Sequence, residues 1–338
     1  MKIDLRSDTL TVPSNKMLNK MMSAKVGDDV WEEDPTVKTL ENIISNMFKV
    51  EAALFCPSGT MANQIAIRSH TQIGDQLICD ISSHIYNYEG GGIASNSGVS
   101  VKLLNGNRGR ISVEQVKSSI NPDDPHFPKT KLVCLENTCN KGGGSCYEIE
   151  TINKISNFCR LNNLNIHLDG ARLFNAIVAK NQNPVDYGKA FDSISICLSK
   201  GLGAPVGSLL LGTKKFIHNA KRVRKSLGGG MRQIGYLAAA GIFAIENNIK
   251  RLSQDHDKAK IIYDTLKNSK YVEEVMPCET NIIIFKIFKN KIDYVLQKFD
   301  QNEILYSKFG EDMLRFVTHL NFDDKQLNKL LRLLKSLA

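Results

Sequence analysis

The 338 residues contain no CxxC pair and no regular cysteine framework. The eight cysteines stand at 56, 79, 134, 139, 146, 159, 197 and 278. Several lie inside apolar runs ("QLICD", "KLVCLEN", "SICLS"), where a reduced thiol packs as a small hydrophobe. That usage argues against a disulfide scaffold and points to a reducing compartment. No apolar stretch approaches membrane-spanning length. The opening "MKIDLRSDTL" lacks the apolar centre of a secretory signal. The expectation is a cytoplasmic protein with no membrane partner. Internal repeats and low-complexity segments are also lacking, which sets solenoids and disordered linkers aside.

Concentrated positive charge is scarce as well, although 44 Lys and Arg against 35 Asp and Glu leave a formal charge of +9. The single dense run, "KKFIHNAKRVRK" (214–225), has helical spacing and reads as a solvated helix face. No nucleic-acid partner is expected, whereas an anionic cofactor or small substrate would suit the field. Hydrophobic and charged fractions of 42% and 23% are those of an ordinary globular chain.

Strand-like and helix-like runs alternate from residue 34 onward. "DPTVKTLENIISNMFKV" (34–50) carries apolar residues at 37, 40, 43, 44, 47 and 48, and predicts a helix. Strand-like runs are "AALFC", "QLICD", "SVKLL", "KLVCLEN", "LNIHLD", "SISICLS" and "VGSLLLG". Between two of them, "EIETINKISNFCRL" (148–161) is amphipathic. This pattern implies an α/β fold: a mostly parallel sheet with helices on both faces. From about residue 246 the texture changes to a long polar helix through "NNIKRLSQDHDKAKIIYDTLKNS", a strand "NIIIFKI" and a final helix "DKQLNKLLRLLKSL". The expected division is an N-terminal arm (1–14), a large domain (15–245) and a smaller α+β domain (246–338).

Ligands of such sheets bind at the carboxyl ends of the strands, so the residues that follow each run matter most. After "AALFC" comes "PSGTMANQ" (57–64). Ser58, Gly59 and Thr60 are either a plain helix cap or a turn presenting N–H groups to a phosphate. After "QLICD" comes "SSHIYNYEGGG" (82–92), where His84 is a satisfied loop histidine or a ring able to stack on an aromatic ligand. After "LNIHL" comes "DGAR" (169–172). Asp169 is a helix cap or the partner of a protonated ring nitrogen. In "ISICLSKGLGAPVGS" (194–208), Lys200 is a strand-end lysine reaching water or an amine placed to form an imine with a carbonyl. In this order, the four features match what pyridoxal 5'-phosphate requires. No metal site is expected.

With these motifs on the page, the chain resembles the threonine aldolase family. Further points of likeness are "DLRSDT", "GDD…EDPT", "LENT", "GGGMRQ", "TNIIIF" and "RFVTHL". Members are fold-type-I pyridoxal phosphate enzymes that cleave β-hydroxy-α-amino acids to glycine and an aldehyde. The resemblance implies that Lys200 holds the cofactor, Asp169 pairs with its ring nitrogen and His84 stacks on the ring. The Ser58–Gly59–Thr60 turn would bind the phosphate. Arg172 and Arg315 would grip the substrate carboxylate, Arg172 at the edge of the cofactor as well, with Ser7 nearby. It further implies a homotetramer with active sites between subunits, in which Arg232 helps hold a phosphate. Two departures bear on substrate choice. Cys139 stands where the family has His after "LENT", and Trp31–Glu32 stand where it has Tyr-Gly. Another lyase, a racemase or an aminotransferase of the same fold type is the alternative; a non-catalytic basic binding protein would leave Lys200, Asp169 and Arg315 unexplained.

Overall fold

The computed structural model describes residues 2–337. Seven strands form the larger sheet: β1 (Ala52–Cys56), β2 (Gln76–Asp80), β3 (Ser100–Leu104), β4 (Thr130–Glu136), β5 (Asn165–Gly170), β6 (Ser193–Cys197) and β7 (Ser208–Gly212). Their spatial order is β1-β7-β6-β5-β4-β2-β3. Only β7 runs antiparallel to its neighbours β1 and β6; the other pairings are parallel. β2, β6 and β7 are buried along their whole length, as expected for strands covered on both faces.

Local chemistry explains the boundaries. Helix α1 (Asn15–Met22) starts at Ser14, whose hydroxyl accepts from Met17 N. Helix α2 (Pro35–Phe48) starts at Asp34, whose carboxylate accepts from Thr36 N and Val37 N, with Pro35 in the first turn. It buries Val37, Leu40, Ile44 and Phe48 and ends where Lys49 turns left-handed. Helix α3 (Gly59–His70) follows β1 directly, and its Ser58 cap accepts from Met61 N.

Four strands make a second, antiparallel sheet. In chain order they are β8 (Val272–Val275), β9 (Ile282–Ile287), β10 (Ser307–Lys308) and β11 (Met313–Val317); in space the order is β10-β11-β9-β8. Phe285, Phe316, Ile283 and Leu330 anchor its own hydrophobic cluster, to which Ile3 and Leu5 also belong. The chain's start therefore packs on its end. Ile3 and Asp4 pair in parallel with Ile304 and Leu305. Farther along the arm, the Thr11 hydroxyl donates to the Lys200 carbonyl at 2.9 Å. The arm thus ties the second sheet to the loop after β6.

The long polar helix expected through 247–269 is two helices, Gly235–Asn248 and Leu252–Lys267. The side chains at the break are pinned to the loop that follows Lys200. Asn248 Nδ2 donates to the Leu202 carbonyl, and Arg251 pairs with Asp255 while reaching the Gly201 carbonyl. β8, β10 and β11 were not legible as strands. No helix among the described residues is long and apolar enough to cross a membrane.

Candidate active site

The strand ends open into a cleft with two connected parts that share His84 and Lys200. The inner part, about 140 Å³, is lined by Gly59, Thr60, Asn63, His84, Glu89, Asp169 and Lys200, among others. The outer part, about 370 Å³, is lined by Ser7, Tyr88, Asn140, Arg172, Lys200, the segment 307–309 and Arg315. Lys200 reaches this position because β6 ends at Cys197 and the chain must turn back into β7. Gly207 (φ 114°) makes the return possible, since a Cβ there would stand 2.6 Å from the Phe55 ring.

Asp169 lies at the end of β5, beside Glu136 at the end of β4. Asp169 is buried, and its oxygens accept from Asn63 Nδ2 at 3.0 Å and from Ala171 N at 3.1 Å. Both donors are neutral, and no lysine, arginine or histidine nitrogen of the described residues is within ion-pair distance. His84 is fixed from two sides. Its Nδ1 meets Glu89 Oε1 at 2.9 Å, and its backbone N–H donates to Glu136 Oε2 at 2.7 Å. Burial would lower the His84 imidazole, but the bond to Glu89 and the Asp169 charge outweigh it and raise it. Burial, then the charge of Asp169, pushes Glu136 up to about 7. Glu136 Oε1 also accepts from Asn140 N at 2.8 Å.

The two arginines differ sharply. Arg172 makes a bidentate pair with Asp8, Nε–Oδ2 at 2.8 Å and Nη2–Oδ1 at 2.7 Å, with both side chains buried. Burial would raise the Asp8 carboxyl, yet the Arg172 guanidinium holds it down at about 2. Arg315, only 9% exposed, donates to Asn140 Oδ1, the Arg6 carbonyl and Ser307 Oγ. Its Nε has no partner, and no carboxylate of the described residues pairs with it. Burial, with Arg172 nearby, brings Arg315 down to about 10, so it stays cationic at neutral pH.

The cleft therefore gathers Gly59, Thr60, His84, Asp169, Arg172, Lys200, Arg315 and Ser7, with Ser58 capping the helix that carries the first two. Two expected residues lie elsewhere. Arg232 is half exposed, paired with Asp28 at 2.9 Å, and does not line the cleft of its own chain. Cys139, expected to meet substrate, is the other. It is 2% exposed, and its thiol donates to the Glu136 carbonyl rather than opening on the cleft. Its backbone is paired with Ser145, and a Cβ on Gly109 would stand 2.8 Å from its own. The next residue, Asn140, lines the cleft instead. Sequence reading missed Asn63, Glu89, Glu136 and Asp8, although each sits inside a quoted motif. An acid or amide within an otherwise small or apolar motif was the available signal.

The cleft fits pyridoxal phosphate on two observations. Asp169 is a buried carboxylate lacking a cation, as a protonated ring nitrogen requires. The free N–H groups at the start of α3 open at Gly59 and Thr60 into the same space. The fold is that of the fold-type-I enzymes, and fold, cleft and sequence relatives together define a pyridoxal phosphate-dependent lyase. The sequence profile of the beta-eliminating lyases matches residues 4–289. The chain belongs to that family and, within it, to the threonine aldolases.

Two relatives illustrate the match. A low specificity L-threonine aldolase of Escherichia coli K12 is 41% identical over 326 residues, 96% of each chain. A low-specificity L-threonine aldolase of Arabidopsis thaliana is 40% identical over 327 residues, 94% of this chain and 91% of that one. A Leishmania major threonine aldolase structure superposes with a TM-score of 0.87 at 21% identity, covering 99% of this chain and 100% of that chain.

Proposed function

We propose that the protein cleaves L-threonine and L-allo-threonine, and related β-hydroxy-α-amino acids, to glycine and an aldehyde such as acetaldehyde. Arg315 carries this reading. A buried guanidinium without a carboxylate, opening on the same space as Lys200, is suited to a substrate carboxylate. The cofactor, when bound, supplies an electron sink for breaking the Cα–Cβ bond. In this reading Lys200 holds the cofactor, and Asp169 keeps its ring nitrogen protonated. The α3 N-terminus at Ser58, Gly59 and Thr60 receives the phosphate, and His84 stacks on the ring. His84 Nε2, the ring nitrogen not held by Glu89, is the group placed to take the β-hydroxyl proton. Arg315 orients the carboxylate, aided by Ser7, while Arg172 shapes the edge between the two parts of the cleft.

The same reading includes a homotetramer with Arg232 near a neighbour's phosphate site. Trp31 (73% exposed) and Met22 (80% exposed), with Met231 and Tyr236 also exposed, support a covered face there. A cytoplasmic location agrees with the eight free cysteines. The division of 15–245 from 246–338 agrees with separate hydrophobic clusters on the two sheets, and the arm 1–14 links them. The deciding experiment incubates the purified protein and added cofactor with each threonine diastereomer. Equimolar glycine and acetaldehyde are expected; a racemised or transaminated amino acid, with no aldehyde, would overturn the reading.

A further inference from the structure

Behind Asp169 runs a line of buried polar side chains that the chemistry above does not use. Asn63 Nδ2 lies 3.0 Å from Asp169 Oδ2 and 2.9 Å from Glu89 Oε1. Asn63 Oδ1 lies 2.7 Å from Ser195 Oγ and 3.1 Å from His167 Nε2. His167 Nδ1 is 2.8 Å from Ser193 Oγ, and Ser193 Oγ is 2.8 Å from His70 Nε2. His167 is fully buried, and Asn63, Ser193 and Ser195 nearly so. The His70 ring stacks on Phe216 with centroids 4.6 Å apart.

The carboxylates favour one direction along this line. They only accept, so the Asn63 NH₂ must face them and its oxygen must face His167. That oxygen only accepts, so His167 must carry its proton on Nε2. Nδ1 of His167 is then an acceptor and takes the Ser193 hydroxyl proton. Ser193 Oγ, having donated, accepts from Nε2–H of His70. The Ser193 carbonyl also faces His167, so a proton on Nδ1 is the competing arrangement. Burial holds His167 down at about 4 and His70 at about 3, which keeps both rings neutral at physiological pH.

We propose that His70, Ser193, His167 and Asn63 form a one-directional donor chain that positions Asp169 and Glu89 together, and through them the cofactor ring and His84. These are positioning residues, and their assignment rests on the function proposed above. Asn63 satisfies two donors and two acceptors at once, so a single amide sets the spacing of the two carboxylates. The side chain that meets Asp169 is a neutral amide and no lysine or arginine pairs with it, which leaves Asp169 available to a cationic ring nitrogen. The sheet register supplies the geometry, since His167 and Asp169 are two residues apart on β5 and opposite Ser193 and Ser195 on β6.

Two measurements test this. In the holoenzyme labelled with ¹⁵N-histidine, His167 and His70 should both show the neutral Nε2–H pattern throughout neutral pH. A proton on His167 Nδ1, or titration in that range, overturns the chain. His167→Phe should lower kcat per cofactor-loaded site by roughly two- to tenfold, the loss of one neutral hydrogen bond, with KM for threonine nearly unchanged. It should also move the pH at which the bound cofactor's visible band titrates, and His167→Gln, which keeps a donor near the Nε2 position, should restore both. If His167→Phe lowers only Tm, leaving kcat per loaded site and that pH unchanged, the role is structural and the proposal fails. Should that variant not fold, Ser193→Ala and the ¹⁵N spectra of the parent carry the decision. If the parent releases no aldehyde from threonine, the functional reading fails, while the ring-proton measurement still decides the chain.

Discussion

On the floor of the cleft, Asp169, Asn63, Glu89 and His84 hydrogen-bond to one another, and all but His84 are buried. On the rim, Arg315 is buried without an opposite charge and keeps one N–H unpartnered. The floor is made by the end of β5, helix α3 and the segment after β2, all packed on one sheet; the rim is assembled from the arm, the loop after β4, and β10 and β11 of the other. A site for a resident cofactor gains from fixed, satisfied groups, because reorganisation would be repeated at every turnover. A site for a transient substrate needs a charge that only the substrate neutralises. Arg172 belongs by this test with the floor, since Asp8 already balances it.

The comparison breaks most completely at the amine that both parts share. Lys200→Ala should abolish the visible band of bound cofactor and reduce aldehyde release to background, because the inner part that holds Asp169 is lined by no other lysine of the described residues. Near-normal threonine cleavage in this variant would remove Lys200 from the chemistry and with it the link between floor and rim.

Next in size is the balanced arginine. Asp8→Asn leaves the Arg172 guanidinium buried without its carboxylate and should destabilise the protein by about 3–5 kcal/mol. The pH dependence gives an independent sign. Asp8 is held near 2 when folded, against 3.8 for an ordinary Asp, so the folded state is favoured wherever the carboxyl is ionised. That contribution is complete above about pH 4 and is lost as pH falls towards 2. Acid unfolding of the parent should therefore be steeper over that window than that of Asp8→Asn. Identical acid limbs would show that the pair contributes nothing.

The unbalanced arginine should respond differently. Arg315→Ala removes a charged contact to substrate, about 1.5–3 kcal/mol, chiefly as a raised KM for threonine. Its effect on Tm should be small or stabilising, since an uncompensated buried cation disappears. If KM is unchanged and Tm collapses, Arg315 belongs to the frame, and floor and rim no longer differ in kind.

Much of the floor was legible in the sequence for one physical reason. Buried strands of a mostly parallel sheet read as unbroken apolar runs, and a polar residue followed by glycine marks where each run meets the cleft. Lys200 and Asp169 are located on that ground, and their roles emerge only from the order of the features and the family likeness. Asn63 does not, because its partner Asp169 is 106 residues away and the pairing exists only once α3 lies against β5. The rim was legible only through family likeness. β10 has only two residues, and the apolar run of β11 is interrupted by Arg315. At Cys139 family likeness and the geometry diverge, since a motif position fixes the backbone trace but not which way a smaller side chain turns.

Cys139 gives the smallest expected effect and the finest cut between the two regions. Its thiol is buried against the Glu136 carbonyl and packs beside Gly109, facing away from the rim. Burial, then the Glu136 charge, pushes that thiol well above its ordinary value, so it offers neither thiolate nor base. Cys139→Ser, which is smaller and keeps a donor for the carbonyl, should leave the ratio of kcat/KM for threonine and allo-threonine unchanged. Asn140, the neighbour that does line the cleft and accepts from Arg315, sets the contrast. Asn140→Ala loses that acceptor and should change both KM and the diastereomer ratio, by less than Arg315→Ala does. Measuring kcat/KM for both diastereomers in the two variants checks this directly. A ratio that moves with Cys139→Ser but not with Asn140→Ala would return Cys139 to the substrate's side, and would mean that the loop after β4 turns over when substrate binds.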